Sequence, residues 1–268
     1  MKKILACLLI AISTTATSQD LTLFQKKEYV HSEGKVLPYR ILYPENYDKN
    51  KKYPLVLFLH GAGERGNDNE KQLIHGAKLF LKEENRKNYS AIILFPQCPE
   101  NSFWSSVNID RNKTPLTFEF NYDNTITWPL AAVQMLVNQL LNEESIDKKR
   151  CYITGLSMGG MGTFEMLYRF PMLFAAAMPI CGGGDALRYD ERIKKTSFWI
   201  FHGDADVVVN VNESRAMVNK LKELKVTVTY TEYPAVNHNS WDNAFAEPTF
   251  LKWMFSNKRK NRKAIIQL

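Results

Sequence analysis

The sequence predicts an α/β fold built on a mainly parallel sheet with helices on both faces. Compact apolar runs bounded by Pro, Gly or Asn/Asp alternate with longer segments of helical spacing. The runs read as strands buried on both sides, as in a covered parallel sheet, and neither an internal repeat nor a Gly/Ser linker divides the chain. Taken in order, strands are expected at 37–43, 55–59, 92–95, 152–154, 175–180, 198–201 and 226–230. The first helix is expected over 128–141, where Leu130, Val133, Leu136, Val137, Leu140 and Leu141 share one face and Pro129 fits the first turn. Others are expected over 161–170, ending before Pro171, over 213–224, with Met217, Val218, Leu221 and Leu224 on one side, and over 245–255. Residues 96–124 read as an irregular, aromatic-containing excursion of the kind that shapes a binding site.

The length of 268 residues, 45% of them hydrophobic, suits one domain with a sizeable core. Lys2 and Lys3, the apolar run 4–12 and the small residues before Gln19 have the order of a secretory signal. The expectation is a signal peptide over 1–18, a catalytic domain over 19–257 and export to the periplasm or beyond. The apolar run is about half the ~20 residues needed to cross a bilayer, so no integral membrane segment is expected in the mature chain. Cys7 precedes most of that run, which argues against a lipoprotein site. The net charge of +7 resides at the ends: residues 258–268 form a basic tail with Lys258, Arg259, Lys260, Arg262 and Lys263, whereas 19–257 holds 28 basic and 28 acidic residues. A neutral body gives no reason to expect a nucleic-acid or membrane-surface partner. Cys98, Cys151 and Cys181 are an odd number, so at most one disulfide forms, and spacing leaves a Cys98–Cys181 pair open.

Gly155-Leu156-Ser157-Met158-Gly159 fits G-x-S-x-G between a strand and a helical pattern, where a sharp turn exposes the serine and its neighbours must lack side chains. Phe201-His202-Gly203-Asp204-Ala205-Asp206 runs from a strand into a loop with two carboxylates, and Val236-Asn237-His238-Asn239 lies in a loop after the last strand. The order Ser, Asp, His, each at a strand's C-terminal end, is that of the α/β-hydrolases. With Leu57–Gly66 these segments resemble exported esterases and predicted peptidases of the α/β-hydrolase superfamily, feruloyl/acetyl-xylan esterase-like and dienelactone-hydrolase-like proteins above all. The resemblance spans about residues 30–255.

That resemblance implies the α/β-hydrolase fold and a serine esterase with Ser157, Asp206 and His238 as catalytic residues. The H-G-x-x-D pattern selects Asp206 over Asp204, and the oxyanion donors are implied to be the backbone N–H groups of Ala62 and Met158. The expected substrates are acetyl or feruloyl esters, glycan-linked ones among them; a prolyl-oligopeptidase-like peptidase, a lipase or a thioesterase are the alternatives. Gly61-Ala62-Gly63-Glu64-Arg65-Gly66 also satisfies the dinucleotide fingerprint G-x-G-x-x-G, but Asn67-Asp68-Asn69 continues the loop and no acid follows at the end of a second strand. No cofactor is expected, and no Cys/His spacing points to a metal. Trp104 is a candidate for an acyl or sugar subsite or for the core beneath the long loop; Glu64 and Arg65 are candidate substrate contacts or a mutual pair. Trp241 is expected to buttress the His238 loop. His60 and His202 are expected to orient loops, and His31 and His75 to be ordinary surface residues.

Overall fold

A computed structural model describes residues 20–259. The expected signal segment 1–18 and the tail from Lys260 onward lie outside the described residues. In chain order the strands are β1 (Gln25–Val30), β2 (Val36–Leu42), β3 (Tyr53–Leu59), β4 (Ile92–Pro96), β5 (Val107–Asp110), β6 (Thr117–Phe120), β7 (Ile146–Leu156), β8 (Ala176–Ile180), β9 (Ser197–Gly203) and β10 (Val228–Tyr233). The helices are α1 (Ala77–Leu81), α2 (Glu83–Asn88), α3 (Trp128–Glu143), α4 (Met158–Arg169), α5 (Val211–Glu223), α6 (Trp241–Ala246) and α7 (Phe250–Ser256).

Eight strands form one sheet in the order β1-β2-β4-β3-β7-β8-β9-β10, antiparallel at β1-β2 and β2-β4 and parallel elsewhere. This is the α/β-hydrolase fold that the sequence predicts. All seven residues of β3 are buried, because helices cover both faces. Its side chains alternate between two apolar layers: Leu55, Leu57 and Leu59 join α3, α4 and α5 on one face, while Val56 and Phe58 meet α1, α6 and α7 on the other. The expected face of α3, including Leu130, Val133, Leu136, Val137 and Leu140, is buried, with Pro129 in the first turn.

Four expected elements differ, and the Cys98–Cys181 pair left open by the sequence is not formed. The excursion 96–124 holds an antiparallel ribbon, β5-β6, separate from the main sheet and joined to it by a bridge between Leu116 and Val209. The strand expected at 152–154 begins at Ile146, and the helix after it begins at Met158 instead of 161. The single helix expected over 245–255 is two, α6 and α7, separated around Pro248, which has no N–H for a helical bond. Cys98, Cys151 and Cys181 are all buried free thiols. Lys258 and Arg259, the first residues of the basic tail, lie against the start of β7, where Arg259 N–H donates to the Lys149 carbonyl at 2.9 Å. No helix among the described residues is long and apolar enough to cross a membrane.

Candidate active site

β3 and β7 lie side by side, but the chain continues from β3 to β4 on one side and from β7 to β8 on the other. The loops leaving their C-terminal ends therefore diverge and open a crevice, the usual ligand position in such sheets. At the end of β7 the chain enters α4 through one residue, Ser157, whose φ of 53° and ψ of −117° are strained for an L-residue. Ser157 N–H donates to the Ile180 carbonyl at 2.9 Å, and Met161 N–H donates to the Ser157 carbonyl at 3.0 Å, so the conformation is held from both sides. Gly159 cannot be replaced by a larger residue without displacement, since a Cβ there would overlap the Leu59 carbonyl of β3.

Three loops bring the sequence-selected side chains together. Ser157 Oγ lies 2.9 Å from His238 Nε2, and His238 Nδ1 lies 2.7 Å from Asp206 Oδ2. The other Asp206 oxygen, Oδ1, accepts from the N–H groups of Val208 at 2.8 Å and Val209 at 2.9 Å, and His202 Nε2 stands 3.2 Å from Oδ2. Burial alone would push the Asp206 carboxyl up, but hydrogen bonds from His202, His238 and the Val208 amide, with the charge of His238, hold it well below the usual carboxylate range. A carboxylate only accepts, so the hydrogen of a neutral His238 sits on Nδ1 and the Nε2 lone pair faces the serine hydroxyl. Asp204 stands apart, its Oδ1 accepting from Ala235 N–H at 2.7 Å.

A residue not singled out from sequence ties the acid and histidine loops: Asn237 Oδ1 accepts from Val207 N–H at 3.1 Å and from His238 N–H at 2.7 Å. Trp241 sets its ring against His238, centroids 5.4 Å apart. His60 is buried and pushed down to about 4 by that burial, so it is neutral. Its Nδ1 donates to the Gly61 carbonyl at 2.6 Å and its Nε2 accepts from Cys98 N–H at 2.9 Å. In a trans peptide C=O and N–H point opposite ways. Holding the Gly61 carbonyl against His60 therefore turns the Ala62 N–H away from it. Met158 opens α4, where N–H groups have no acceptor within the helix. Ala62, Ser157, Met158 and His238 all line one cleft of about 350 Å³.

The rest of that cleft departs from the sequence reading. Trp104 does not line it; the ring is fully buried, its Nε1–H donates to the His60 carbonyl at 3.1 Å, and its Cβ packs where Gly162 leaves room. Arg65 does not line it either. Its guanidinium donates to the carbonyls of Ala62, Glu100 and Ser102 at 3.0, 2.9 and 3.2 Å, bracing the loop after β3. Glu64 does line the cleft, yet it pairs with His75 at 3.6 Å and not with Arg65. His75 is thus a cleft residue, its ring tilted against that of Trp241 with centroids 5.1 Å apart, where the sequence suggests an ordinary surface histidine. The opposite wall is Phe103 with the ribbon side chains Ile109, Arg111, Leu116 and Phe118. Their alternation along 107–111 and 116–120 was the signal available in the sequence.

Among the described residues, Cys181, Asp206 and His238 bring possible metal-ligand atoms within 4.8 Å of one another. Burial, with the Asp206 charge, pushes the Cys181 thiol up, so the thiolate that a divalent ion requires is the disfavoured form.

The profile of the phospholipase/carboxylesterase family matches residues 46–252. The chain is 23% identical over 197 residues to a bifunctional acetylxylan esterase/xylanase of Neocallimastix patriciarum, covering 73% of this chain and 25% of that protein. It is 26% identical over 209 residues to a protein of Oryza sativa subsp. japonica named a probable carboxylesterase, covering 71% and 83%. The crystal structure of a thermostable esterase superposes with a TM-score of 0.80 at 40% identity, covering 89% of this chain and 64% of that one. The chain thus spans about a quarter of the Neocallimastix patriciarum enzyme and under two thirds of the thermostable esterase.

Proposed function

The chain belongs to the phospholipase/carboxylesterase family, and we propose that it hydrolyses carboxylic esters through an acyl-enzyme formed on Ser157. The observation that carries this reading is the unbroken relay from Ser157 Oγ to His238 Nε2 at 2.9 Å and from His238 Nδ1 to Asp206 Oδ2 at 2.7 Å. A serine hydroxyl is a weak nucleophile unless a base in contact removes its proton as it attacks. His238 takes that proton while Oγ bonds to the ester carbonyl carbon, and Asp206 stabilises the resulting imidazolium. The carbonyl oxygen becomes an oxyanion that accepts from the Ala62 and Met158 N–H groups. His238 then gives its proton to the departing alkoxide. Water, deprotonated by the same histidine, attacks the acyl-enzyme and releases the acid and the free serine.

For the substrate we favour acetyl or feruloyl esters on polysaccharide-derived alcohols. The relationship to the Neocallimastix patriciarum acetylxylan esterase/xylanase supports this, as does a cleft of about 350 Å³ lined mostly by apolar side chains. Export by way of the signal-like segment 1–18 is part of the same proposal, since external polymers would then be within reach. Ser157→Ala tests the assignment. The change should lower kcat for p-nitrophenyl acetate by about 10⁶-fold and abolish fluorophosphonate labelling. A variant that retains either property would remove Ser157 from the mechanism. Matched ester and anilide substrates separate esterase from peptidase.

A further inference from the structure

The ribbon β5-β6 presents the cleft with one charge that the protein leaves unanswered. Side chains alternate across such a ribbon, and the register pairs Ile109 with Phe118, so Arg111 and Leu116, two residues further along, lie on the same face. All four line the cleft containing Ser157. The surface turned toward the candidate nucleophile is therefore three apolar side chains and one guanidinium. At the ribbon's tip Asp110 and Lys113 pair at 3.5 Å, and Asp110 Oδ1 also accepts from Asn112 N–H at 3.0 Å. Across the cleft Glu64 is engaged by His75. Arg111 makes no hydrogen bond or ion pair among the described residues.

We propose that Arg111 is a specificity-determining residue that selects esters carrying a second, free carboxylate, received by its guanidinium while the reacting carbonyl meets Ser157. The inference rests on the esterase reading of Ser157. Arg111 is exposed at the cleft rim, and a guanidinium offers two parallel N–H donors matched to the two oxygens of a carboxylate. The carboxylate can belong to the acyl group, as in a dicarboxylic half ester, or to the alcohol, as in an acylated hydroxy acid.

Two matched pairs of esters distinguish these sources and test the proposal. On the acyl side, monophenyl adipate is compared with the phenyl ester of adipamic acid; on the alcohol side, 4-acetoxybenzoate is compared with 4-acetoxybenzamide. In each pair a carboxylate is set against a neutral amide of similar shape. The readout is the carboxylate-to-amide ratio of kcat/KM in the wild type and in Arg111→Gln, Arg111→Lys and Arg111→Glu. In at least one pair Arg111→Gln should lower the ratio on the order of 10-fold, as expected for a charge-assisted hydrogen bond. Arg111→Glu should lower it further, Arg111→Lys should restore part of it, and added salt should compress the wild-type ratio. Ratios that move by less than about twofold in both pairs, the scale of an unimportant surface charge, overturn the proposal while leaving the esterase reading intact. A wild type that hydrolyses none of the four esters overturns the esterase reading itself, and this proposal with it.

Discussion

His60 should give the folded protein a measurable sensitivity to acid. It is fully enclosed, donates to the Gly61 carbonyl, accepts from Cys98 N–H, and is pushed down to about 4 from an ordinary 6.5 by burial. The fold holds the neutral form, so the unfolded chain takes up a proton through a pH range in which the folded one does not. Its stabilising contribution is therefore complete above 6.5, declines as the pH falls and levels off below about 4. Linkage puts the loss between about pH 7 and about pH 5 at about 2 kcal/mol. His60→Asn removes the titration while its amide can still donate to the Gly61 carbonyl. The Cys98 N–H loses its acceptor, which costs about 1–3 kcal/mol near neutrality. Urea unfolding of both proteins at the two pH values isolates the effect, because the other histidines contribute equally to both. The variant should be less stable at pH 7 but lose about 2 kcal/mol less than the wild type on acidification. Equal losses for the two proteins would refute the argument and indicate that His60 is charged, or solvated, in the native state.

Asp206→Asn should lower kcat for p-nitrophenyl acetate about 10⁴-fold, because an amide facing His238 Nδ1 favours the wrong tautomer; a loss under about tenfold would show that the carboxylate does not govern the base. Trp104→Ala should cost about 3–5 kcal/mol in urea unfolding without altering the preference between acetyl and feruloyl esters, and a changed preference at preserved stability would return Trp104 to the substrate site.

Where residues are buried for one dominant reason, their roles could be read from the sequence. The buried positions 55–59 of β3 and the apolar face of α3 follow directly from hydrophobic pattern, and the glycines around Ser157 follow from the sharpness of its turn. The reading failed where tertiary contact overrides local preference. Gly159, Gly160 and Gly162 argue against helix by propensity, yet α4 begins at Met158; close approach to β3, to the end of β8 and to Trp104 makes those same glycines necessary inside the helix. The polar end of β7, Asp147 to Arg150, concealed four residues of strand, and the polar edge strand β1 offered no apolar run. Trp104 shows the limit for a single side chain. An indole fits a subsite or a core equally well, and the decision comes from the buried carbonyl of His60 that meets its N–H. His75 reaches the cleft only because the turn before α1 folds it toward Glu64 and Trp241, and no local spacing announces this.

The ribbon β5-β6 reaches the loop after β9 by its backbone: Leu116 N–H donates to the Val208 carbonyl at 3.1 Å, and the N–H groups of Val208 and Val209 are those that grip Asp206. A single stretch of backbone thus anchors the ribbon that walls the cleft and clamps the carboxylate. For anyone grafting a different arm onto this scaffold, changes at the tip around Arg111 alter what lines the cleft without touching that clamp. Changes at Leu116 do touch it, because a replacement that fails to dock on Val208 disturbs the machinery it was meant only to decorate.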